Sequence, residues 1–91
     1  MKNEERGYEL TVLFPLQLKE KEALKKEIEK VGIIEKEEDW GEKKLAYPIK
    51  KQARGHFYFY ELKANPEKIK TFEGWLKLNE NILRYLIVLK I

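Results

Sequence analysis

The sequence predicts an α+β fold with the element order β-α-β-β-α-β, in which four antiparallel strands form one sheet and two helices cover one of its faces. Alternating runs of β-forming residues are interleaved with apolar residues at helical spacing. The length of 91 residues suits one small domain, which we expect to span residues 1–91. Pro48 lies inside a strand-like run, and since proline has no N–H for a central ladder, that strand belongs at a sheet edge.

The first half of the chain predicts a strand, a helix and a second strand. Residues 8–14 alternate in polarity and form the first strand, and residues 18–31 carry an apolar stripe at helical spacing. Gly32 is predicted to end this helix in the left-handed conformation. A strand from residue 33 or 34 to about residue 49 would run roughly 50 Å at ~3.3 Å per residue, so we expect it to bend near Gly41.

The second half predicts the remaining three elements. After a polar connection over residues 50–55, residues 56–62 form a strand with aromatic side chains on both faces. Asn65 and Pro66 are typical of the N-cap and the first position of a helix. The last strand is predicted over residues 82–91.

This order predicts a ferredoxin-like sandwich with the strand order 4-1-3-2, which leaves the second strand at an edge and one sheet face without helices. Exposed aromatic side chains on that open face would need a ligand or a partner. The residues expected to form the common core are Leu10, Val12, Leu24, Ile28, Ile69, Phe72 and Leu76.

Charge is distributed unevenly along the chain, although the net charge is only +3. Residues 1–44 contain ten Lys and Arg against twelve Asp and Glu, whereas residues 45–91 contain nine against four. Between residues 43 and 60 there are five positive side chains and no acid, which makes this segment the expected phosphate-facing surface. No cysteine is present, no run approaches the length of a membrane span, and the charged N-terminus is unlike a signal peptide.

The segment 40–49 concentrates these signals, because it combines the glycine bend, two lysines, a tyrosine and the edge proline. A basic, bent edge strand of this kind is a plausible surface for RNA or for a partner protein. It is equally typical of a twisted edge hairpin that lysines keep soluble.

Two sequence blocks resemble the ribosomal protein S6 family of the bacterial small subunit. The first is Trp40-Gly41, followed by two lysines and by Leu-Ala-Tyr-Pro-Ile at residues 45–49. The second is Leu-Lys-Leu-Asn-Glu-Asn-Ile-Leu-Arg-Tyr at residues 76–85. The resemblance covers nearly the whole chain, although the first helix is about a turn shorter than is common in the family and the acidic or extended C-terminal tail of many members is absent.

The resemblance implies a structural constituent of the small ribosomal subunit, on the cytoplasmic ribosome, with no enzymatic role. It implies binding to the central domain of small-subunit ribosomal RNA as a pair with ribosomal protein S18, with no cofactor, metal, membrane or small-molecule substrate. The residues expected to contact RNA are Lys43, Lys44, Arg84, Tyr47, Lys2 and Arg6. For each of them an ordinary surface role is the competing interpretation, and for Tyr47 it is packing on its own hairpin.

Three other functions fit the same predicted fold. An acylphosphatase-like enzyme would use an arginine with an asparagine, which Arg54 or Arg84 and Asn79 or Asn81 could supply, but fold alone does not imply activity. A free-standing RRM-like RNA-binding module is the main alternative, although its aromatic consensus is not met. A small-molecule regulatory domain of this shape would normally be dimeric. The single histidine, His56, is predicted to be structural or solvated rather than catalytic.

Overall fold

The computed structural model describes residues 4–17 and 20–90. Within these residues four strands form one antiparallel sheet in the order β2-β3-β1-β4, with two helices on one of its faces. The ferredoxin-like α+β fold is therefore confirmed. The elements are β1 (Arg6–Phe14), α1 (Lys21–Val31), β2 (Gly32–Ile49), β3 (Gln52–Ala64), α2 (Pro66–Leu78) and β4 (Arg84–Leu89). Neither helix is long and apolar enough to cross a membrane in this part of the chain.

The core lies between the two helices and the sheet. Alternate residues of β1 face the helices, as the period of two in a strand requires, and Leu10 and Val12 are fully buried there. Leu24 and Ile28 of α1 and residues at helical spacing in α2 pack against them. The predicted core is confirmed, since all seven of its members are buried: Leu10, Val12, Leu24, Ile28, Ile69, Phe72 and Leu76.

The aromatic strand β3 divides its side chains between the two faces of the sheet. Tyr58 and Tyr60 face the helices and are buried. Phe57 and Phe59 alternate with them and therefore face the side without helices, where both are partly exposed. The sequence alone did not reveal this division, because both sets are aromatic.

The predicted edge position and bend of β2 are both confirmed. Among the described strands β2 pairs only with β3, and its register shifts between Asp39 and Gly41. Gly41 has a φ of 80°, as a glycine in a bulge does, and its N–H donates to Asp39 Oδ1 over 2.8 Å. The bend therefore rests on a conformation that glycine adopts at little cost.

Several element boundaries differ from those predicted, including the start of β1 at Arg6 rather than at residue 8. β3 begins at Gln52 rather than at residue 56, because Ile49 pairs with Gln52 across a two-residue turn. Lys50 and Lys51 make that turn with φ values of 50° and 67°, the backbone signs of a type I′ turn. β4 is shorter than predicted and covers Arg84–Leu89. The described part of α1 begins at Lys21, and the predicted start at residues 18–19 lies outside the described residues.

The start of α2 agrees with the predicted capping residues. Asn65 Oδ1 accepts a hydrogen bond from the N–H of Glu67 over 2.9 Å, and Pro66 occupies the first turn. Proline is compatible with this position because an N–H in the first turn would have no hydrogen-bond partner within the helix. The helix ends at Leu78.

The predicted left-handed conformation of Gly32 is wrong. Its φ of −172° and ψ of −163° are extended, and β2 begins at this residue directly after α1. Glycine is required for space instead, since a Cβ atom at this position would lie 2.2 Å from the carbonyl oxygen of Lys63 and 2.8 Å from the Cβ of Ala64.

We expect Gly32→Ala to lower the free energy of unfolding by about 1–3 kcal/mol or more, because a backbone oxygen of β3 must move to make room. Gly74→Ala is the matched control, since Gly74 lies inside α2 and its new Cβ would meet nothing within 4 Å. At position 74, alanine should raise the free energy of unfolding by about 0.5–1 kcal/mol through its higher helix propensity. Urea denaturation of both variants checks the pair, and a Gly32→Ala protein as stable as wild type would contradict the close approach.

Candidate nucleic-acid interface

Unpaired positive side chains gather where the β2–β3 hairpin ends and β4 begins. Lys43 and Lys44 pair with Gly55 and Arg54 near the hairpin tip, and Arg84 starts β4 opposite Leu13. Because the strands are antiparallel, these positions share one end of the sheet. We call it the basic end, and it consists of Lys43, Lys44, Lys50, Lys51, Lys77 and Arg84.

The side chains at the basic end are available to an external anion. Across residues 4–17 and 20–90, none of the six cations of the basic end lies within ion-pair distance of a carboxylate. In contrast, Lys21 and Lys25 both pair with Glu37, and Lys90 pairs with Glu61 over 2.8 Å. Of the nine Lys and Arg side chains without an ion-pair partner among the described residues, six lie at this end, as suits a phosphate-binding surface.

Two of the predicted RNA-binding residues come into contact there. The guanidinium carbon of Arg84 lies 5.7 Å from the centre of the Tyr47 ring, in a cation–π arrangement. Tyr47 keeps 58% of its surface exposed. A hollow of about 220 Å³ beside the pair is lined by apolar residues that include Leu13, Leu45 and Phe57. An aromatic ring and a guanidinium plane next to such a hollow can receive a flat base.

The remaining predicted residues do not join this cluster. Arg6 begins β1 opposite Ala64 and lies within 3.4 Å of Glu4, and the seven-residue step from Arg6 to Leu13 covers roughly 24 Å at ~3.4 Å per residue. Arg6 therefore lies at the opposite end of the sheet from Arg84. Lys2 lies outside the described residues.

The sheet face without helices, which we call the open face, carries a patch of exposed apolar and aromatic side chains among charged ones. Trp40 stacks on Phe59 with ring centres 4.9 Å apart and an interplanar angle of 7°. Leu86 and Val88 of β4 are 61% and 40% exposed on the same face. The prediction that two helices leave one face with exposed apolar side chains is confirmed for these residues.

Two acids at the bend of β2 remain ionised and limit where RNA can approach. A hydrogen bond from His56 Nε2, 2.6 Å from Asp39 Oδ1, lowers the pKa of Asp39, and the Gly41 N–H lowers it further. The indole N–H of Trp40 lowers the pKa of Glu38 in the same way, with help from Lys36. The resulting negative charges repel phosphate, so the attractive surface begins beyond the bend, at the basic end.

The groups considered for catalysis make other contacts. His56 holds the bend through Asp39 and packs 4.6 Å from the Tyr58 ring. Arg54 Nε donates to Glu42 over 2.6 Å, while the side-chain amides of Asn79 and Asn81 both donate to the carboxylate of Glu20. No cluster of three or more potential metal ligands occurs among the described residues.

Sequence reasoning placed Lys50 in the expected phosphate-facing segment 43–60 but not among the individual RNA-binding residues, and it did not single out Lys77. Both line a surface pocket of about 380 Å³ that Arg84 also lines. Lys50 was assigned to a polar connection rather than to a tight turn, and Lys77 looked like an ordinary solvated position on a helix. The adjacent lysines at the centre of a hairpin were the available signal for the first; no local signal marks the second.

A ferredoxin-like sheet with exposed apolar side chains on its open face and unpaired cations at one end fits the class of small RNA-binding proteins of that fold. The model of the family described as ribosomal protein S6 matches residues 7–89. The chain belongs to the ribosomal protein S6 family.

Individual relatives agree with this assignment. The small ribosomal subunit protein bS6 of Clostridium novyi is 37% identical over an alignment of 91 residues, which covers 91% of this chain and 95% of the relative. That of Borreliella burgdorferi is 44% identical over 71 residues, which cover 77% of this chain but only 51% of the relative. The crystal structure of 30S ribosomal protein S6 from Thermotoga maritima superposes with a TM-score of 0.85 at 26% identity and covers 96% of this chain and 89% of that one.

Membership of this family makes the chain an RNA-associated component of the bacterial small ribosomal subunit, located on the cytoplasmic ribosome. The family is structural rather than enzymatic.

Proposed function

We propose that the chain binds the central domain of small-subunit ribosomal RNA together with ribosomal protein S18, using the basic end for RNA and the open face for the second protein. The observation that carries the proposal is the adjacency of these two surfaces. Arg84 begins the strand on which Leu86 and Val88 are exposed. A protein on the open face and an RNA at the basic end would therefore be neighbours.

The RNA part of the proposal assigns different roles to different side chains. Lys43 and Lys44 are exposed and contact phosphates, which positions the protein on RNA without reading its sequence. Arg84 presents a planar fork of donors suited to a phosphate or a base edge. Tyr47 offers its exposed ring for stacking. Arg6, at the far end of the sheet, would reach a separate stretch of RNA.

The partner part rests on charge and on uncovered surface. A net charge of +3 is low for a protein that must hold a polyanion alone. Leu86 and Val88 expose apolar area that the two helices, on the opposite face, do not cover. A second protein that buries this area combines its own positive charge with that of the basic end, and prior association lowers the cost of ordering the two proteins on RNA.

Replacing both lysines of the edge strand, Lys43→Ala with Lys44→Ala, should weaken assembly onto ribosomal RNA without unfolding the protein. If two phosphate contacts are lost, the slope of log affinity against log salt should shrink by about 1.4–1.8 units. Filter-binding titrations at several salt concentrations measure this slope. The control is Lys68→Ala with Lys70→Ala, which removes the same charge from the exposed side of α2. Equal slopes in the two double variants would move the contact away from Lys43 and Lys44, with Arg84 the next residue to test.

Sedimentation tests the proposed function as a whole. Tagged protein should travel with small ribosomal subunits through a sucrose gradient at high salt, where non-specific electrostatic binding is weak. Recovery only in the free-protein fractions would contradict the ribosomal role of this chain.

One observation favours a second possibility, an RNA-binding module that acts alone. Phe57 and Phe59 occupy the open face of a central strand, where ferredoxin-like RNA binders stack bases. Trp40 already stacks on Phe59, which leaves less aromatic surface free for RNA. The titration with and without the partner protein separates the two possibilities.

A further inference from the structure

We propose that the pocket between the β2–β3 hairpin tip and the α2–β4 connection is a nucleotide subsite, in which Lys50, Lys77 and Arg84 hold a phosphate and Tyr47 takes the adjoining base. The inference rests on the proposed RNA binding and specifies where one nucleotide of that RNA sits. It adds two phosphate ligands, Lys50 and Lys77, which lie on different elements from the lysines of the edge strand.

The pocket has the size and charge of a phosphate site. Its volume is about 380 Å³, within the range of small-ligand sites. Three cations line it, Lys50, Lys77 and Arg84, against one carboxylate, that of Glu80. In the described structure none of these cations has an acidic partner, so their positive charge is not neutralised within the chain.

Lys50 is held over the pocket by the backbone opposite. Its ammonium donates to the carbonyl oxygens of Glu80 and Ile82 over 3.4 and 3.5 Å. These contacts are long and weak, and they orient the side chain across the gap between the hairpin and the α2–β4 connection. An ammonium group has three donors, and a phosphate oxygen is a stronger acceptor than a carbonyl because it carries charge. A bound phosphate would therefore compete for the same ammonium.

The backbone of the hairpin turn gives two adjacent lysines the same conformation. Lys50 and Lys51 both have positive φ, where asparagine and glycine are the favoured residues. Since only Lys50 lines the pocket, its position there, and not its backbone conformation, marks it as the phosphate ligand.

Arg84 connects the phosphate pocket with a place for the base. It lines the 380 Å³ pocket and also the apolar hollow of about 220 Å³ beside Tyr47. Its guanidinium lies over the Tyr47 ring, and Leu13 and Phe57 are among the residues that line the hollow. A base next to the bound phosphate would stack in this hollow, where aromatic and guanidinium surfaces tolerate any base.

The two turn lysines provide a matched experiment. Lys50→Asn and Lys51→Asn each remove one charge from adjacent positions of positive φ, and asparagine tolerates both, but only Lys50 lines the pocket. With the partner protein present, Lys50→Asn should reduce the salt slope of RNA binding by about 0.7–0.9 units, the effect of one lost phosphate contact. Lys51→Asn should reduce it by clearly less, because Lys51 belongs to the basic end but does not line the pocket. Both variants should have a melting temperature at or above that of the wild type, because asparagine adopts a positive φ more readily than lysine does.

A second measurement tests the site without RNA. Titration of the free 91-residue protein with uridine 5′-monophosphate should shift the backbone NMR signals of Lys50, Lys77, Arg84 and Tyr47. Inorganic phosphate should shift the first three only, and uridine none of them. Lys50→Asn should weaken the response to the nucleotide, whereas Lys51→Asn should not.

The outcomes separate this inference from the proposed function. Strong RNA binding with equal salt slopes in the two variants would overturn the subsite and leave the ribosomal role intact. Nucleotide-induced shifts of other NMR signals, or shifts that Lys50→Asn leaves unchanged, would also overturn the subsite. Absence of RNA binding by the wild-type pair would contradict the proposed function, and the nucleotide titration would then decide the subsite alone.

Discussion

Truncating Leu76 to alanine should lower the free energy of unfolding by about 2–5 kcal/mol, and Leu24→Ala should do the same. Leu76 of α2 is 1% exposed and Leu24 of α1 is fully buried, and both belong to the cluster between helices and sheet. Each change removes three carbon atoms from a close-packed environment. The loss combines the transfer free energy of those atoms with the cost of the cavity left behind.

The matched control for Leu76 is Leu78, two residues later on the same helix. Leu78 is 83% exposed, so Leu78→Ala should change the free energy of unfolding by less than about 0.5 kcal/mol. A small domain has only about 5–15 kcal/mol of stability in total, and the contrast is therefore easy to resolve by urea denaturation. Losses below about 0.5 kcal/mol at both Leu24 and Leu76 would show that the helices bury different faces from those described.

The helix faces and the edge strand could be predicted because they follow from local periodicity and backbone chemistry. The stripe that includes Leu24 and Ile28 repeats at helical spacing and admits one buried face. Pro48 cannot donate to a ladder, and Gly41 adopts a positive φ at little cost. The structural effect of each of these residues follows from its own backbone chemistry or from its spacing to near neighbours, and it does not depend on distant segments of the chain.

The features that sequence reasoning missed depend on contacts between distant segments. Gly32 is needed because the backbone of Lys63 passes next to it, and no pattern within residues 18–34 encodes that approach. Lys50 makes a tight turn because Ile49 pairs with Gln52, a register set along the whole hairpin.

Some residues of the candidate site could be predicted from the sequence and others could not. Lys43, Lys44, Tyr47 and Arg84 stood out through the two sequence blocks, and the fold gathers them at one end of the sheet. Their RNA contacts remain predictions. Lys77 joins that end only through folding, because α2 brings it to the same pocket as Arg84.

The largest effect on function is expected from the partner protein. This chain alone should bind central-domain ribosomal RNA weakly, and ribosomal protein S18 from the same source should tighten binding by at least about tenfold, equivalent to ~1.4 kcal/mol. The physical reasons are the low net charge of +3, the exposed apolar area of the open face and the pooling of two positive surfaces.

Two variants assign this effect to the open face. Leu86→Asp places a charge on an exposed position of that face and should abolish the tightening while the protein stays folded. Leu78→Asp places the same charge on the helix layer, where 83% of the side chain is exposed, and should leave the tightening intact. Loss of the effect in both variants, or in neither, would remove the open face from the interface.

The central claim, that this chain holds ribosomal RNA as one half of a protein pair, is tested most directly by titrating labelled central-domain RNA with the wild-type protein in the presence and absence of ribosomal protein S18. We expect a dissociation constant at least about tenfold lower when the partner is present, at a fixed salt concentration. Equal dissociation constants in the two titrations would contradict the paired mechanism and favour an RNA-binding protein that acts alone.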